Sequence, residues 1–144
     1  MAINQAYEQF NRFELLAPVG VTITSGQPLI FGGGTHIIGG VAQTAQNISA
    51  NYPYNDNTGY ITLQVSGAVN VAVKGFTQGS PSAGAAINRG DPVYADGGTK
   101  DPVSGITYGI TLDGDANGNF FGIAMDPVAA GATTTIRVIL KNAA

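Results

Sequence analysis

The segment Asp113-Gly-Asp115-Ala-Asn117-Gly118 carries the sharpest chemical motif in the chain. It repeats the opening of a calcium loop, where alternate Asp and Asn oxygens surround the cation and a glycine at the sixth position makes the turn. That loop also needs a bidentate glutamate at its twelfth position, which here is Ala124. The flanks alternate as strands instead of running as helices. The stretch therefore reads as a tight hairpin turn, in which Asx side chains bond backbone two residues on, and withdrawing calcium is expected to change nothing. No metal site is expected.

Other chemistry fails at an identifiable step. His36 is the one histidine, no Gly-x-Ser-x-Gly elbow exists, and there is no cysteine, so neither a triad nor a thiol nucleophile can be assembled. Glycoside hydrolysis needs two converging carboxylates, yet Asp56, Asp91, Asp96, Asp101, Asp113, Asp115 and Asp126 fall in expected turns or at element ends. Gly32-Gly33-Gly34 and Gly39-Gly40 resemble phosphate loops in composition alone, since no Gly-Lys-Ser/Thr follows, and they read as turns. Arg89-Gly90-Asp91 is a turn ahead of Pro92, and the sequon Asn47-Ile48-Ser49 has no secretory signal before it. No catalytic residue and no cofactor are expected, and the protein is read as a non-enzyme.

Composition points the same way. A quarter of the 144 residues are Leu, Ile, Val or Phe, enough for one folded core, while 21 Gly and 7 Pro break up long helices. Charged residues are 10% of the chain against roughly 25% in an ordinary soluble domain. Uncharged Thr, Asn, Gln, Ser, Gly and Ala must cover much of the exterior, which suits a surface buried against partners. A net charge of −3 with six scattered basic residues (Arg12, Lys74, Arg89, Lys100, Arg137, Lys141) argues against nucleic acid. No run approaches the ~18 apolar residues of a membrane span, and residues 1–17 lack the basic and apolar regions of a signal peptide. Assembly in a cytoplasm and no membrane partner are expected.

The elements that would carry these residues alternate with period two. Ile61, Leu63 and Val65, then Val69, Val71 and Val73, alternate with polar residues around Ser66-Gly67, which predicts a β-hairpin. Ile106 to Leu112 and Ile136 to Leu140 add two strands, and Leu29–Phe31, His36–Ile38, Val93–Tyr94 and Phe120–Met125 are shorter candidates. Turn signals stand at Ser25-Gly26, Gly32-Gly33-Gly34, Gly39-Gly40, Asn57-Thr58-Gly59, Asp96-Gly97-Gly98 and Asp113 to Gly118. Many short strands with glycine turns predict an all-β fold, a small β-barrel or jelly-roll-like sandwich with at most one or two short helices. Residues 1–17 are expected to form an N-terminal arm, strand or helix with Tyr7, Phe10 and Phe13 at three-residue spacing, and residues 18–144 a single β domain.

Two stretches carry a family resemblance: Ala85-Ala86-Ile87-Asn-Arg-Gly90-Asp91-Pro92-Val93-Tyr94-Ala95-Asp96, and Phe121-Gly122-Ile123-Ala124-Met125-Asp126 continuing through Ala129-Ala130-Gly131 to Ile136-Arg137-Val138-Ile139-Leu140. They are similar to an "Ala-Ile-x-x-Gly-Asp-x-Val-Tyr" hairpin and a closing strand pair found in the capsid cement, or head decoration, proteins of tailed bacteriophages. Pro18-Val-Gly, Ser25-Gly26-Gln-Pro-Leu29 and Gly39-Gly40-Val41-Ala42 resemble that family's opening strands, so the likeness runs from about Leu15 to Leu140. The aromatic N-terminus and the Tyr52-Pro53-Tyr54 loop look like additions to it.

The resemblance implies a structural virion protein that binds the outer face of the assembled head and stabilises contacts between major capsid protein subunits. Its expected partners are that protein and itself, as a homo-oligomer with a trimer favoured over a dimer. Tyr7, Phe10, Arg12, Phe13, Tyr52 and Tyr54 are the expected capsid or subunit contacts, because aromatic side chains bury the most area per residue at an interface. Deleting residues 2–13 is expected to abolish capsid binding and leave a soluble fold. The alternative is another virion surface domain (fibre, baseplate or lectin-like) that binds carbohydrate through the Tyr52 to Tyr54 loop.

Overall fold

The computed structural model describes residues 12–18, 20–34, 36–43, 60–77 and 84–141. These form nine strands: β1 (Arg12–Leu16), β2 (Pro28–Gly33), β3 (His36–Ala42), β4 (Tyr60–Gln64), β5 (Ala68–Lys74), β6 (Pro92–Lys100), β7 (Ile106–Asp113), β8 (Asn119–Ala124) and β9 (Thr133–Leu140). All pairings are antiparallel, in one sheet of order β1-β4-β3-β2-β7-β6-β8-β9-β5, and no helix occurs among the described residues. The all-β expectation holds. The sheet ends on two edges, β1 and β5, so a closed barrel does not form.

Instead the sheet curls around two apolar cores. On β2, Leu29 belongs to one core and Ile30 to the other, and on β3 Ala42 and Val41 divide in the same way. Alternate side chains of a strand point to opposite faces, so β2 and β3 are the wall between the cores. The larger core collects Val69, Val71 and Val73 of β5, Val93 and Ala95 of β6, Leu112 of β7, Phe121 and Ala124 of β8, and Ile136, Val138 and Leu140 of β9. The second holds Ile61 and Leu63 of β4 and Ile106 of β7, roofed by Ala17 and Ile23 of the β1–β2 connection. The consecutive apolar residues Leu29-Ile30-Phe31 and Ile37-Ile38 mark strands with both faces covered.

Strand β7 serves both cores. Ile106 and Tyr108 pack into the second core, yet Ile110 and Leu112, of the same parity, pack into the larger one. The strand must roll over between Tyr108 and Ile110, and Gly109 there has φ of +69°. On the facing strand Gly97 and Gly98 also have positive φ, and Gly97 pairs with Ile110. Only glycine takes that conformation at low cost. Asp96-Gly97-Gly98, expected as a turn, is therefore a bend inside β6, of the kind that lets strands pass from one packed layer to the next.

Two other local expectations are corrected. β4 and β5 do not form a hairpin, because β4 already has β1 on one side and β3 on the other, and β5 pairs with β9 over seven residues from Ala68↔Ile139 to Lys74↔Thr133. Gly67, at φ +80°, turns the chain away between them. Gly39-Gly40 lies within β3, where a side chain at Gly39 would meet the Phe121 ring at 2.9 Å and one at Gly40 would meet Leu63 Cγ at 2.7 Å. Those glycines make room for Phe121 and Leu63 against the wall. The turns at Ser25-Gly26 and Asp113 to Gly118 form where expected, while of Gly32-Gly33-Gly34 only Gly34 lies in the turn, Gly32 and Gly33 being the last residues of β2 paired with Ile37 and His36; Asn57-Thr58-Gly59 and the sequon lie outside the described residues.

Candidate functional site

The turn from Asp113 to Gly118 is closed by its own side chains. Asp113 Oδ1 accepts from Asp115 N at 2.8 Å, Asp115 Oδ1 accepts from Asn117 N at 3.0 Å, and Gly118 N donates to Asp115 O at 3.0 Å. Two successive Asx turns of this kind are what the composition favours. Asp96 of β6 lies beside them, and its pKa is raised, first by burial and then by the charges of Asp113 and Asp115. Among the described residues no group of three or more His, Asp or Glu side chains is gathered to hold a metal ion. His36 stands exposed at the start of β3, opposite Gly33.

Arg89-Gly90-Asp91 is a turn whose groups are engaged locally. Asp91 Oδ2 accepts from Asn88 N at 2.7 Å, and Arg89 Nε donates to Met125 O at 2.8 Å. The turn sits ahead of β6 and is tied to the end of β8, where Gly90 N donates to Ala124 O and Ala124 N to Asp91 O, with Ile87 bridged to Val128 beside it. This juxtaposition brings the two family-like stretches together, and the adjacent ladder continues it by pairing Pro92 with Ile123 and Val93 with Gly122.

The outer face of the β8–β9–β5 ribbon is the most distinctive surface. Register places Ala68 beside Ile139, Asn70 beside Arg137, Ala72 beside Thr135 and Lys74 beside Thr133 on that face, all of them exposed. At its β8 end Ile123 and Met125 join Ile139 in a shallow groove of about 360 Å³, bordered by Arg89 and Arg137. Ile139 is large, apolar and 40% exposed. Its position in β9 has the parity of Thr133, Thr135 and Arg137, so an isoleucine there breaks the alternation, and that break is the sequence signal for this groove.

The charge in this groove is held in place. Arg137 donates Nε to Asp126 Oδ2 at 2.9 Å and Nη2 to Oδ1 at 2.7 Å, and its backbone N reaches Oδ2 at 3.0 Å. These bonds hold the Asp126 carboxyl well below the usual carboxylate range. A bidentate fork fixes the guanidinium plane, and neutralising the pair lowers the cost of covering the face. Lys74 lies over the Phe76 ring, 5.5 Å from its centre. Nearby, Phe120 and Tyr94 form a tilted aromatic pair at 5.9 Å, Phe120 being partly exposed. Such a face can adhere to another protein surface; it holds no nucleophile with a base beside it.

Of the expected contacts, Arg12 and Phe13 are placed on the backbone of β1, opposite Gln64 and Leu63. Tyr7, Phe10, Tyr52 and Tyr54 lie outside the described residues. In comparison with known proteins, residues 14–140 match the family model described as phage cement protein. No curated protein and no solved structure matches the chain. The matched span begins in β1 and ends with β9, and it includes the Asn88 to Asp91 turn and the β8–β9 pair.

Proposed function

The chain belongs to the phage cement protein family, and from that premise we propose that it docks on the outer surface of an assembled phage head and reinforces the joints between major capsid protein subunits. A structural role in the phage capsid, in the virion, is what membership carries. The finer reading concerns which surface is used and what it accomplishes. The observation that supports the capsid role is the extent of the family match, which runs from within β1 to the end of β9.

The face of β5 and β9, where Ala68, Asn70, Ala72, Thr133 and Thr135 outnumber the charged Lys74 and Arg137, supports this reading. Ala, Thr and Asn lose less side-chain entropy on burial than Lys, Arg or Glu, so a contact made through them begins with a smaller cost. The groove of Ile123, Met125 and Ile139 supplies apolar area, and the Asp126-anchored Arg137 supplies oriented donors at its rim. In this reading the protein is non-enzymatic, residues 1–17 act as an arm on the single β domain of residues 18–144, and β1 is where that arm enters the sheet. Tyr7, Phe10, Arg12, Phe13, Tyr52 and Tyr54 contribute at a capsid or subunit interface. Self-association multiplies weak contacts through effective concentration, so no deep pocket is required. The heads it meets are assembled in the host cytoplasm.

The test is mechanical. Heads stripped of the protein are heated with and without the purified chain, and DNA release is followed by dye fluorescence. Re-addition is expected to raise the release temperature; an unchanged temperature at saturating protein would remove the reinforcing role.

A further inference from the structure

Strand β1 is an edge, and the ladder shows which of its backbone groups face outward. Gln43 N donates to Thr62 O at 2.8 Å, so Thr62 turns its peptide groups toward β3 while Ile61 and Leu63 turn theirs toward β1. Their partners on β1 are Leu15 and Phe13. The N–H and C=O groups of Arg12, Glu14 and Leu16 consequently point away from β4. Among the described residues no strand pairs with that side. A row of backbone donors and acceptors at two-residue spacing is a template for another strand.

The sequence of β1 selects what fits. A second β1 docking antiparallel about a two-fold axis must oppose outward-facing residues, so Arg12, Glu14 and Leu16 form the hydrogen-bonded pairs. Centring the axis on position 12 sets arginine against arginine, and centring it on position 14 sets glutamate against glutamate. Like charges directly opposite destabilise a strand pair. Centring it on position 13 places Arg12 opposite Glu14 twice and lets those residues exchange both backbone bonds, while the two Phe13 positions meet at the axis as a non-hydrogen-bonded pair. Axes at positions 15 or 16 match neither charge with its opposite.

We propose that the β1 edge is a self-association interface, in which two copies pair β1 with β1 about a two-fold axis at Phe13, with Arg12 of each opposite Glu14 of the partner subunit. Such an interface is isologous and closed, and it joins two nine-stranded sheets into one. It selects a dimer over the trimer expected from sequence. The inference stands on strand geometry and charge, independently of capsid attachment.

Sedimentation equilibrium of the full chain in low salt tests it without phage heads. The wild type is expected to be a dimer. Arg12→Glu and Glu14→Arg each set like charges opposite twice and are expected to raise the dissociation constant about tenfold or more, whereas the double reversal restores both pairs and recovers dimerisation. Glu14→Pro removes an outward donor that β4 does not use, and is expected to give a monomer with unchanged far-ultraviolet circular dichroism. A monomeric or trimeric wild type overturns the proposal, as does a dimer that both single reversals leave intact. Protection of the Arg12 and Glu14 amides from hydrogen exchange in a monomer would assign the edge to the chain's own remaining residues, and would overturn it equally.

Discussion

Phe120 and Phe121 are adjacent phenylalanines on β8, and only one of them belongs to the core. Phe121 is 1% exposed and its ring lies on Gly39 of β3, while Phe120 is 39% exposed beside Tyr94. Truncating a buried phenylalanine to alanine costs about 3–5 kcal/mol through lost transfer energy and the cavity left behind. In a chain of 144 residues that corresponds to a fall in melting temperature of roughly 10–20 °C. Phe120→Ala forfeits part of an aromatic contact and little buried area, so its cost should stay below about 1.5 kcal/mol. The assay is urea unfolding of both variants, followed by circular dichroism, with the slope checked for two-state behaviour. The difference between the variants is the informative quantity, because a one-residue slip of β8 would exchange their faces. Equal costs, or a larger cost at Phe120, would refute the register shift between Val93 and Tyr94 and the core built on it.

Gly40→Ala should destabilise by more than about 2 kcal/mol in the same urea assay, because the new methyl meets Leu63 Cγ and the Gln64 carbonyl; a neutral result would mean β3 and β4 are farther apart than described. Two of the perturbed carboxylates, Asp126 and Asp96, should respond to pH with opposite sign. Asp126 has a depressed pKa, so its stabilisation is present above the unfolded carboxylate value and lost as pH falls through the folded one; Asp126→Asn should lower the melting temperature at pH 7 and converge with wild type in strong acid. Asp96 has a raised pKa, so its ionised form disfavours folding at neutral pH; Asp96→Asn should raise the melting temperature at pH 7, and the gain should vanish below the ordinary Asp range. Chelation with EDTA should leave thermal unfolding unchanged, since the Asp113 to Gly118 turn is closed by its own hydrogen bonds; a drop of several degrees would assign it a cation. Deleting residues 2–11 spares β1 and should weaken attachment to heads while circular dichroism stays unchanged.

How far the sequence reveals the fold depends on whether local or remote forces set each element. β5 and β9 are legible because each buries one face: Val69, Val71 and Val73, and Ile136, Val138 and Leu140, fall on the core side without exception. Most of β6 is hidden, since Asp96-Gly97-Gly98 has poor strand propensity and is kept in the sheet by β7, which pairs with β6 from Tyr94 to Lys100. Glycine is ambiguous in the same way. Gly34 turns the β2–β3 hairpin, whereas Gly39 and Gly40 make room for Phe121 and Leu63, and no local pattern separates the two uses. Two alternating runs around Ser66-Gly67 predict a β4–β5 hairpin, but strand pairing is settled by partners on β9 that are remote in sequence, from Thr133 to Ile139. At the candidate surface, the family-like motifs were readable as short strings, while the meeting of Arg89 with Met125 and of Arg137 with Asp126 depends on the sheet that brings them together.

The central claim is attachment to the capsid, and co-sedimentation tests it most directly. Heads stripped of the protein are titrated with the purified chain, and the bound amount is measured against the major capsid protein. Saturation at a fixed ratio set by the lattice symmetry is the predicted result. An absence of binding by a chain with an intact β spectrum, or binding that rises without saturating, would contradict the account.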